Sequence, residues 1–126
     1  MVRLDDLFGE ASEIDVDRVE DDLTRFFVDG ETLERGFVVV QKMFFFTDKR
    51  LFIVRREGFT QTKTDFHTVP YSSIRDFSVD TPGRFEKEGE LRVWLDGMTS
   101  PMRFTINPKV EVYDLHQSLS ERVLSD

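Results

Sequence analysis

The side chains best suited to acid–base chemistry in this 126-residue chain lie between residues 65 and 73. Asp65 and His67 are two residues apart, which places them on one face of a strand, and Ser72 and Ser73 follow closely. A serine hydrolase needs these residue types, but it also needs a nucleophile turn and a glycine-built oxyanion loop. Neither precedes these serines. We therefore interpret His67 as an ordinary strand residue and expect no catalysis.

The other metal-ligating and nucleophilic side chains are few. His116, the second histidine, is far from His67 along the chain, and neither has a carboxylate partner at ligand spacing. The chain has no cysteine, which excludes a disulfide framework, a thiolate metal site and a cysteine nucleophile. We expect no metal and no cofactor.

Charge is distributed unevenly along the chain, whose formal net charge is -8. Residues 1–36 contain four arginines and twelve acids, whereas the remainder contains thirteen residues of each sign. A basic run from Gln41 to Lys63 has six cations and two acids. It includes the five candidate anion-binding residues Lys42, Lys49, Arg50, Arg55 and Arg56.

The five candidate cations could receive an anionic lipid surface or an acidic protein segment. The alternative is that strand alternation places them on different faces, where several pair with the acidic N-terminal arm. The net negative charge and the lack of a recognised binding motif argue against nucleic acid.

An arginine and the only tryptophan share one predicted sheet face. Arg92 and Trp94 alternate with Leu91, Val93 and Leu95, and Arg103 lies on the predicted partner strand. Tryptophan and arginine on an exposed face are typical of an interface centre. We predict an interface between copies of the chain at Arg92, Trp94 and Arg103, unless the N-terminal helices cover this face.

These residues are positioned by closely spaced strands from Phe37 to Thr81. β-Branched and aromatic runs separated by short polar turns predict strands over about 32–40, 43–47, 50–56 and 59–69. A fifth strand passes through Ile74, Phe77 and Val79, and a final hairpin pairs 91–95 with 102–106. Because Phe44, Phe45 and Phe46 are consecutive, at least one leaves the interior; we expect it to meet the N-terminal helices rather than another subunit.

Helices are predicted before and after these strands in the sequence. Residues 1–29 form an N-terminal helical extension, with a short helix over 2–8 and a second that begins at Asp15 as N-cap. Residues 30–126 form the β domain and include a C-terminal helix over 108–124, with Asn107 as N-cap. Its apolar stripe is Val112, Leu115, Leu119 and Val123.

The chain length predicts one main hydrophobic core. The acidic N-terminus lacks the basic head and apolar run of a signal peptide, and no apolar run reaches the length of a transmembrane segment. We expect a cytoplasmic protein without a transmembrane segment.

Three segments carry a resemblance to a known family. They are Phe46-Thr47-Asp48-Lys49-Arg50-Leu51, Val69-Pro70-Tyr71-Ser72-Ser73-Ile74 with Phe77-Ser78-Val79, and Gly89-Glu90-Leu91-Arg92-Val93-Trp94 followed by Gly97. Over most of its length the chain thereby resembles the bacterial pleckstrin-homology (PH) domain family. The order of seven strands and an amphipathic helix agrees with that resemblance.

The resemblance implies a mainly β fold, namely a PH-like barrel of seven antiparallel strands in two near-orthogonal sheets. A C-terminal helix caps the barrel. It also implies no known catalytic activity and a tendency to form ring-like homo-oligomers. Eukaryotic relatives that bind phosphoinositides carry several Lys and Arg in the first hairpin, where this sequence has only Lys42 at the turn.

Together these observations predict a non-catalytic module that forms a homo-oligomer, with the acidic arm and the basic hairpins supplying complementary charge between subunits. The alternative is a peripheral module that binds an anionic lipid or an acidic ligand through the five candidate cations. The sequence names no specific partner.

Overall fold

The computed structural model describes residues 13–39, 42–57, 63–81 and 88–125. The predicted helix over 2–8 lies outside these residues. The described strands form two antiparallel sheets. The first sheet has the order β1-β2-β3-β4-β5, formed by Glu13–Ile14, Leu33–Val39, Lys42–Thr47, Arg50–Glu57 and Lys63–Pro70. The second has the order β6-β7-β8, formed by Ile74–Asp80, Gly89–Leu95 and Met102–Ile106.

The mainly β prediction is confirmed, but the described part of the chain has eight strands rather than seven. The additional strand, β1, pairs Glu13 with Phe37 and Ile14 with Gly36. Two residues are too short to show a strand period, so the sequence did not reveal it. By pairing with β2, the two residues of β1 form hydrogen bonds with backbone groups that would otherwise be unpaired at the edge of the sheet.

The helical segment after β1 is short and divided. Asp15 is the predicted N-cap, and its side chain accepts a hydrogen bond from the Asp17 amide at 3.1 Å. Three pieces follow, a 3₁₀ turn at Val16–Arg18, helix α1 at Glu20–Leu23 and a 3₁₀ turn at Thr24–Phe26. Val19, with φ of -120°, departs from helical geometry and interrupts what the sequence predicted as one helix.

The C-terminal helix, α2, covers Val112–Val123 and so begins later than residue 108. Asn107 caps only a turn, in which its side chain accepts from the Lys109 amide at 3.0 Å. Glu111 is the actual N-cap and accepts from the Tyr113 amide. No helix of the described residues is both long and apolar enough to cross a membrane.

Two hydrophobic clusters hold these elements together. The inner cluster fills the space between the two sheets and receives Leu115 and Leu119 of α2. The outer cluster lies on the other face of the first sheet, where Val19 and Leu23 cover it. Phe44 and Phe46 belong to the inner cluster and Phe45 to the outer one. The expected packing of one phenylalanine against the N-terminal segment is therefore observed.

Candidate functional site

The three predicted interface residues lie on the outer face of the second sheet. In β7, Leu91 and Val93 are buried in the inner cluster, so Arg92 and Trp94 point to the other side. Arg92 is opposite Arg103 of β8, and Trp94 is opposite Asp76 of β6. We call this surface, with Arg92, Trp94 and Arg103, the interface face.

Charges on the interface face are paired within the chain. Arg92 Nη1 donates to Glu90 Oε1 at 2.6 Å and to Asp80 Oδ2 at 3.0 Å. Arg103 Nη1 donates to the same Glu90 oxygen at 2.7 Å. The hydrogen bond from Arg92 lowers the pKa of Glu90, and the hydrogen bond to Glu90 raises the pKa of Arg92. Two arginines thus balance two carboxylates on this face.

Trp94 lies half-buried beside this charged network. The described N-terminal segment does not provide its cover, because Ile14, Val19 and Leu23 pack on the first sheet instead. Within the described residues, the interface face is therefore a polar sheet surface with one partly exposed indole.

The five candidate cations do not form one patch. Arg50 is the clearest case of a cation that is not available to a ligand. Its Nε and Nη2 donate to Glu31 at 2.9 and 2.7 Å, and the Glu31 side chain is fully buried. Burial raises the pKa of Glu31, but hydrogen bonds from Arg50, Thr47 and the Val28 amide outweigh this effect, so its pKa is lowered overall. Arg50 is consequently a structural residue.

Two further candidates point away from the remaining ones. Lys49 lies in the β3–β4 turn, where its Nζ is 3.9 Å from Asp48 Oδ2 and its side chain is 48% exposed. Arg56 is opposite Thr64, two residues after Val54 of the outer cluster, and so lies on the outer face of the first sheet.

Lys42 and Arg55 do come together, on the inner face of the first sheet. They are register partners in β3 and β4, at the end of these strands away from the β3–β4 turn. Lys42 Nζ lies 5.3 Å from the centroid of the Phe104 ring. Burial, together with the positive charge of Arg55, lowers the pKa of Lys42. Two like charges are therefore held side by side.

A cavity of about 160 Å³ lies beside this pair. We call it the barrel mouth; it is lined by Lys42, Ile53, Arg55, His67, Met102, Arg103 and Phe104. Among the residues described, no group of three or more His, Asp or Glu could hold a metal ion. The barrel mouth combines cationic side chains with an aromatic and aliphatic wall.

The sequence did not predict that His67 and Arg103 line this cavity. Its pattern indicated an ordinary strand residue at His67 and assigned Arg103 to the interface alone. One signal was present, since His67 has the same strand parity as buried Val69 and so points inward. No local sequence pattern could predict that β8 lies near β4 and β5, because β8 belongs to the second sheet and the other two strands to the first.

Comparison with known proteins agrees with this architecture. The family model described as Bacterial PH domain matches residues 3–123. The chain is 38% identical to the protein YjqA of Bacillus subtilis over 118 residues, covering 93% of this chain and 94% of that protein.

Two solved structures are similar over most of the chain. A pleckstrin-homology domain from Shewanella amazonensis gives a TM-score of 0.80 at 28% identity and covers 88% of this chain and all of that one. A protein with a pleckstrin-homology domain from Shewanella loihica gives 0.78 at 29% identity, covering 89% and 96% of the two chains. The resemblance seen in the sequence is therefore confirmed, and the chain belongs to the bacterial PH domain family.

Proposed function

We propose that this chain is a cytoplasmic, non-catalytic interaction module that assembles with copies of itself through the interface face. PH domains generally serve as non-catalytic interaction modules. The observation that carries the proposal is the half-buried Trp94 on a sheet face that the described N-terminal segment leaves uncovered. Tryptophan and arginine are enriched among the residues that dominate the binding energy of protein interfaces.

The charge balance of the interface face supports contact with a second copy. Arg92 and Arg103 are already paired with Glu90 and Asp80, and Asp76 opposite Trp94 is paired with Arg75. Because these charges balance, two copies of this face would not repel each other. Burying a charge is unfavourable when it lacks a partner, and these charges keep their partners inside one subunit. Trp94 then supplies the apolar area for contact.

The separation of charge along the sequence supports assembly less strongly. Arg50 and Arg55 of the basic run are paired with Glu31 and Asp65 of the same subunit. Fewer cations therefore remain for the acidic arm of a neighbour than the sequence suggested. We expect only a modest weakening of the assembly when salt rises above about 0.15 M, where the screening length is roughly 8 Å.

The alternative of a peripheral membrane module acting through all five candidate cations has weaker geometric support. A flat anionic surface attracts cations that face it together. Here Lys42 and Arg55 point into the barrel mouth, Arg56 lies on the opposite face, and Arg50 is held by Glu31.

Native mass in solution tests the proposal directly. Light scattering should give a multi-subunit mass for the wild type, and Trp94→Ala should reduce that mass to the value of a single chain. Tyr113→Ala is the matched control, because Tyr113 is an aromatic residue with 77% exposure on α2, away from the interface face. It should leave the mass unchanged.

A wild type that stays monomeric at every concentration would overturn the assembly proposal. A multi-subunit mass that survives in Trp94→Ala would retain assembly but exclude the interface face as its contact. Circular dichroism of both variants verifies that each is folded before the masses are compared.

A further inference from the structure

We propose that the outer side of β5 is a docking site for a basic, extended segment of another protein, which pairs with β5 as a further strand of the first sheet. The site, which we call the β5 site, consists of the open edge of β5 and the stacked aromatic pair Phe26 and Phe66 beside it. It lies on the first sheet and is therefore separate from the interface face, which belongs to the second.

The first argument is that the apolar cover of the first sheet is incomplete at β5. Phe26 stacks on Phe66 with 4.5 Å between the ring centroids, and it also contacts Phe52 at 5.3 Å. Phe66 nevertheless remains 41% exposed, and Val28, two residues after Phe26, is 54% exposed. Phe45, in the middle of the same sheet face, is fully buried. Apolar side chains that stay exposed together are typical of a protein contact.

The second argument is the open edge of β5. This strand is the last in the order of the first sheet, and within the described part of the chain its eight residues pair with β4 alone. An edge strand presents backbone N–H and C=O groups with which another chain can pair. On the outer row, Phe66 lies between Thr64 and Thr68, and aromatic and β-branched residues favour cross-strand contacts. An added strand gains backbone hydrogen bonds and places alternate side chains beside Phe66.

The third argument is the charge of the segment that carries Phe26. Residues 15–29 contain six acids and two arginines, and five of the six acids are exposed. Among the residues that the structure describes, none of these eight charged side chains forms an ion pair. An aromatic patch on an uncompensated acidic segment is complementary to a partner that combines apolar and basic side chains.

The same charge argues against other occupants of the β5 site. Residues 1–12 of this chain contain three acids and one arginine, and a second copy has a net charge of -8. Membrane surfaces and nucleic acids carry anionic phosphates. Each of these would bring like charge to residues 15–29, which opposes binding. A basic segment of a different protein is the occupant whose charge fits.

Calorimetric titration of the full chain with a synthetic peptide tests the β5 site. The peptide has eight residues, as β5 has, and alternates lysine with valine or phenylalanine. We expect saturable binding to the wild type. Phe66→Ser should weaken binding by about tenfold or more, because the exposed ring on which an apolar side chain packs is lost. Tyr113→Ser is the matched control, since Tyr113 is an exposed aromatic residue on α2, and it should bind as the wild type does. Circular dichroism verifies that both variants are folded.

A charge variant tests the site without altering the aromatic pair. Asp22→Asn, four residues before Phe26, should weaken binding of the basic peptide by roughly threefold, because a charge at the rim of the site is removed. Asp96→Asn is the matched control, since Asp96 is an exposed acid in the turn between β7 and β8. It should leave binding unchanged. A peptide with glutamate in place of every lysine should not bind, and equal binding of both peptides would overturn the proposal.

Strand pairing is tested with a basic peptide that has proline in place of its valines. Proline has no N–H and does not fit within a ladder, so this peptide should bind about tenfold more weakly or not at all. Equal binding of the proline peptide overturns the proposal, and so does the absence of binding by the original basic peptide.

Light scattering distinguishes a second copy as the occupant. A native mass that falls in Phe66→Ser without any peptide would assign the β5 site to another copy of this chain and overturn the proposal. Trp94→Ala should bind the basic peptide as the wild type does, because Trp94 lies on the other sheet. The β5 site and the proposed assembly can therefore fail separately.

Discussion

The outer faces of the two sheets differ in what covers them, although both sheets alternate inward and outward side chains in the same way. On the first sheet, the outer row is apolar and includes Val38, Phe45 and Val54, and the N-terminal segment buries it. On the second sheet, the outer row includes Arg92 and Trp94, and no described part of the N-terminal segment packs there. An apolar outer row requires a cover from the same chain, whereas a balanced polar row does not.

Representative ion pairs of the two sheets also differ in burial, and the pair of the first sheet is the more buried. The Glu31 side chain is fully buried where it binds Arg50, at the end of the first sheet that carries the β3–β4 turn. Glu90, which binds Arg92 and Arg103, is partly exposed on the second. Removing one partner of a buried ion pair is strongly destabilising, because the remaining charge stays out of water. Removing one partner of an exposed pair costs little, because water then solvates the remaining charge. We therefore expect the ion pair of the first sheet to contribute more to stability than those of the second sheet, whose outer face the described N-terminal segment leaves uncovered.

The largest expected effect is at Phe45, in the covered outer row. Phe45→Ala should lower the free energy of unfolding by about 3–5 kcal/mol, because it leaves a cavity between the sheet and the N-terminal segment. Phe45 is fully buried, and its ring lies close to Gly36. Urea denaturation followed by circular dichroism measures the difference.

Trp94→Ala is the comparison variant, measured at a concentration where both proteins have the mass of a single chain. It should lose clearly less stability than Phe45→Ala. Equal losses would break the comparison, because they would mean that the outer face of the second sheet is packed as tightly as that of the first.

The second effect concerns Glu31 and depends on pH. Glu31→Gln should lower the free energy of unfolding by about 3 kcal/mol at pH 7, because Arg50 loses its buried partner. The pKa of Glu31 is lowered by folding, so its stabilisation is fully present above its ordinary pKa of 4.5 and is lost as pH falls below that value. The wild type and Glu31→Gln should therefore converge in urea titrations below about pH 4.5. A difference that stays constant down to pH 3 would contradict this account.

The smallest effect is expected at Glu90, the counterpart of Glu31 on the second sheet. Glu90→Gln should leave the urea midpoint at pH 7 unchanged, because the arginines it releases can be solvated. A midpoint shift as large as that of Glu31→Gln would indicate that the interface face is buried in the folded state. Light scattering on the same sample shows whether a second copy provides that burial.

Much of the fold followed from local patterns. Alternation in residues 91–95 and 102–106 predicted the last hairpin, which the structure contains as β7 and β8. Turns rich in polar residues set most strand bounds. The strand at Glu13–Ile14 was not predicted, because its pairing with β2 is a contact between residues far apart in sequence. The break at Val19 also escaped prediction, since an apolar stripe does not show where packing on the sheet interrupts a helix.

The functional surfaces were predicted only in part. Parity along β7 correctly placed Arg92 and Trp94 together on the outer face of the second sheet. Parity alone could not show that Asp80 and Glu90 compensate Arg92 there, nor that Glu31 holds Arg50 from 19 positions away. For the cations between Gln41 and Lys63 the sequence left two interpretations open, one basic region or side chains on different faces, and the strand pairing agrees with the second.

By itself, the sequence determined the order of strands and helices, the inward and outward rows and the absence of cysteine chemistry, because each depends on residue type or short-range spacing. Only the tertiary structure decided which face the N-terminal segment covers and which cations are neutralised. It alone showed that His67 and Arg103 join Lys42 and Arg55 at one cavity. These outcomes depend on how two sheets pack, and no spacing along a single strand encodes the distance between residues of different sheets.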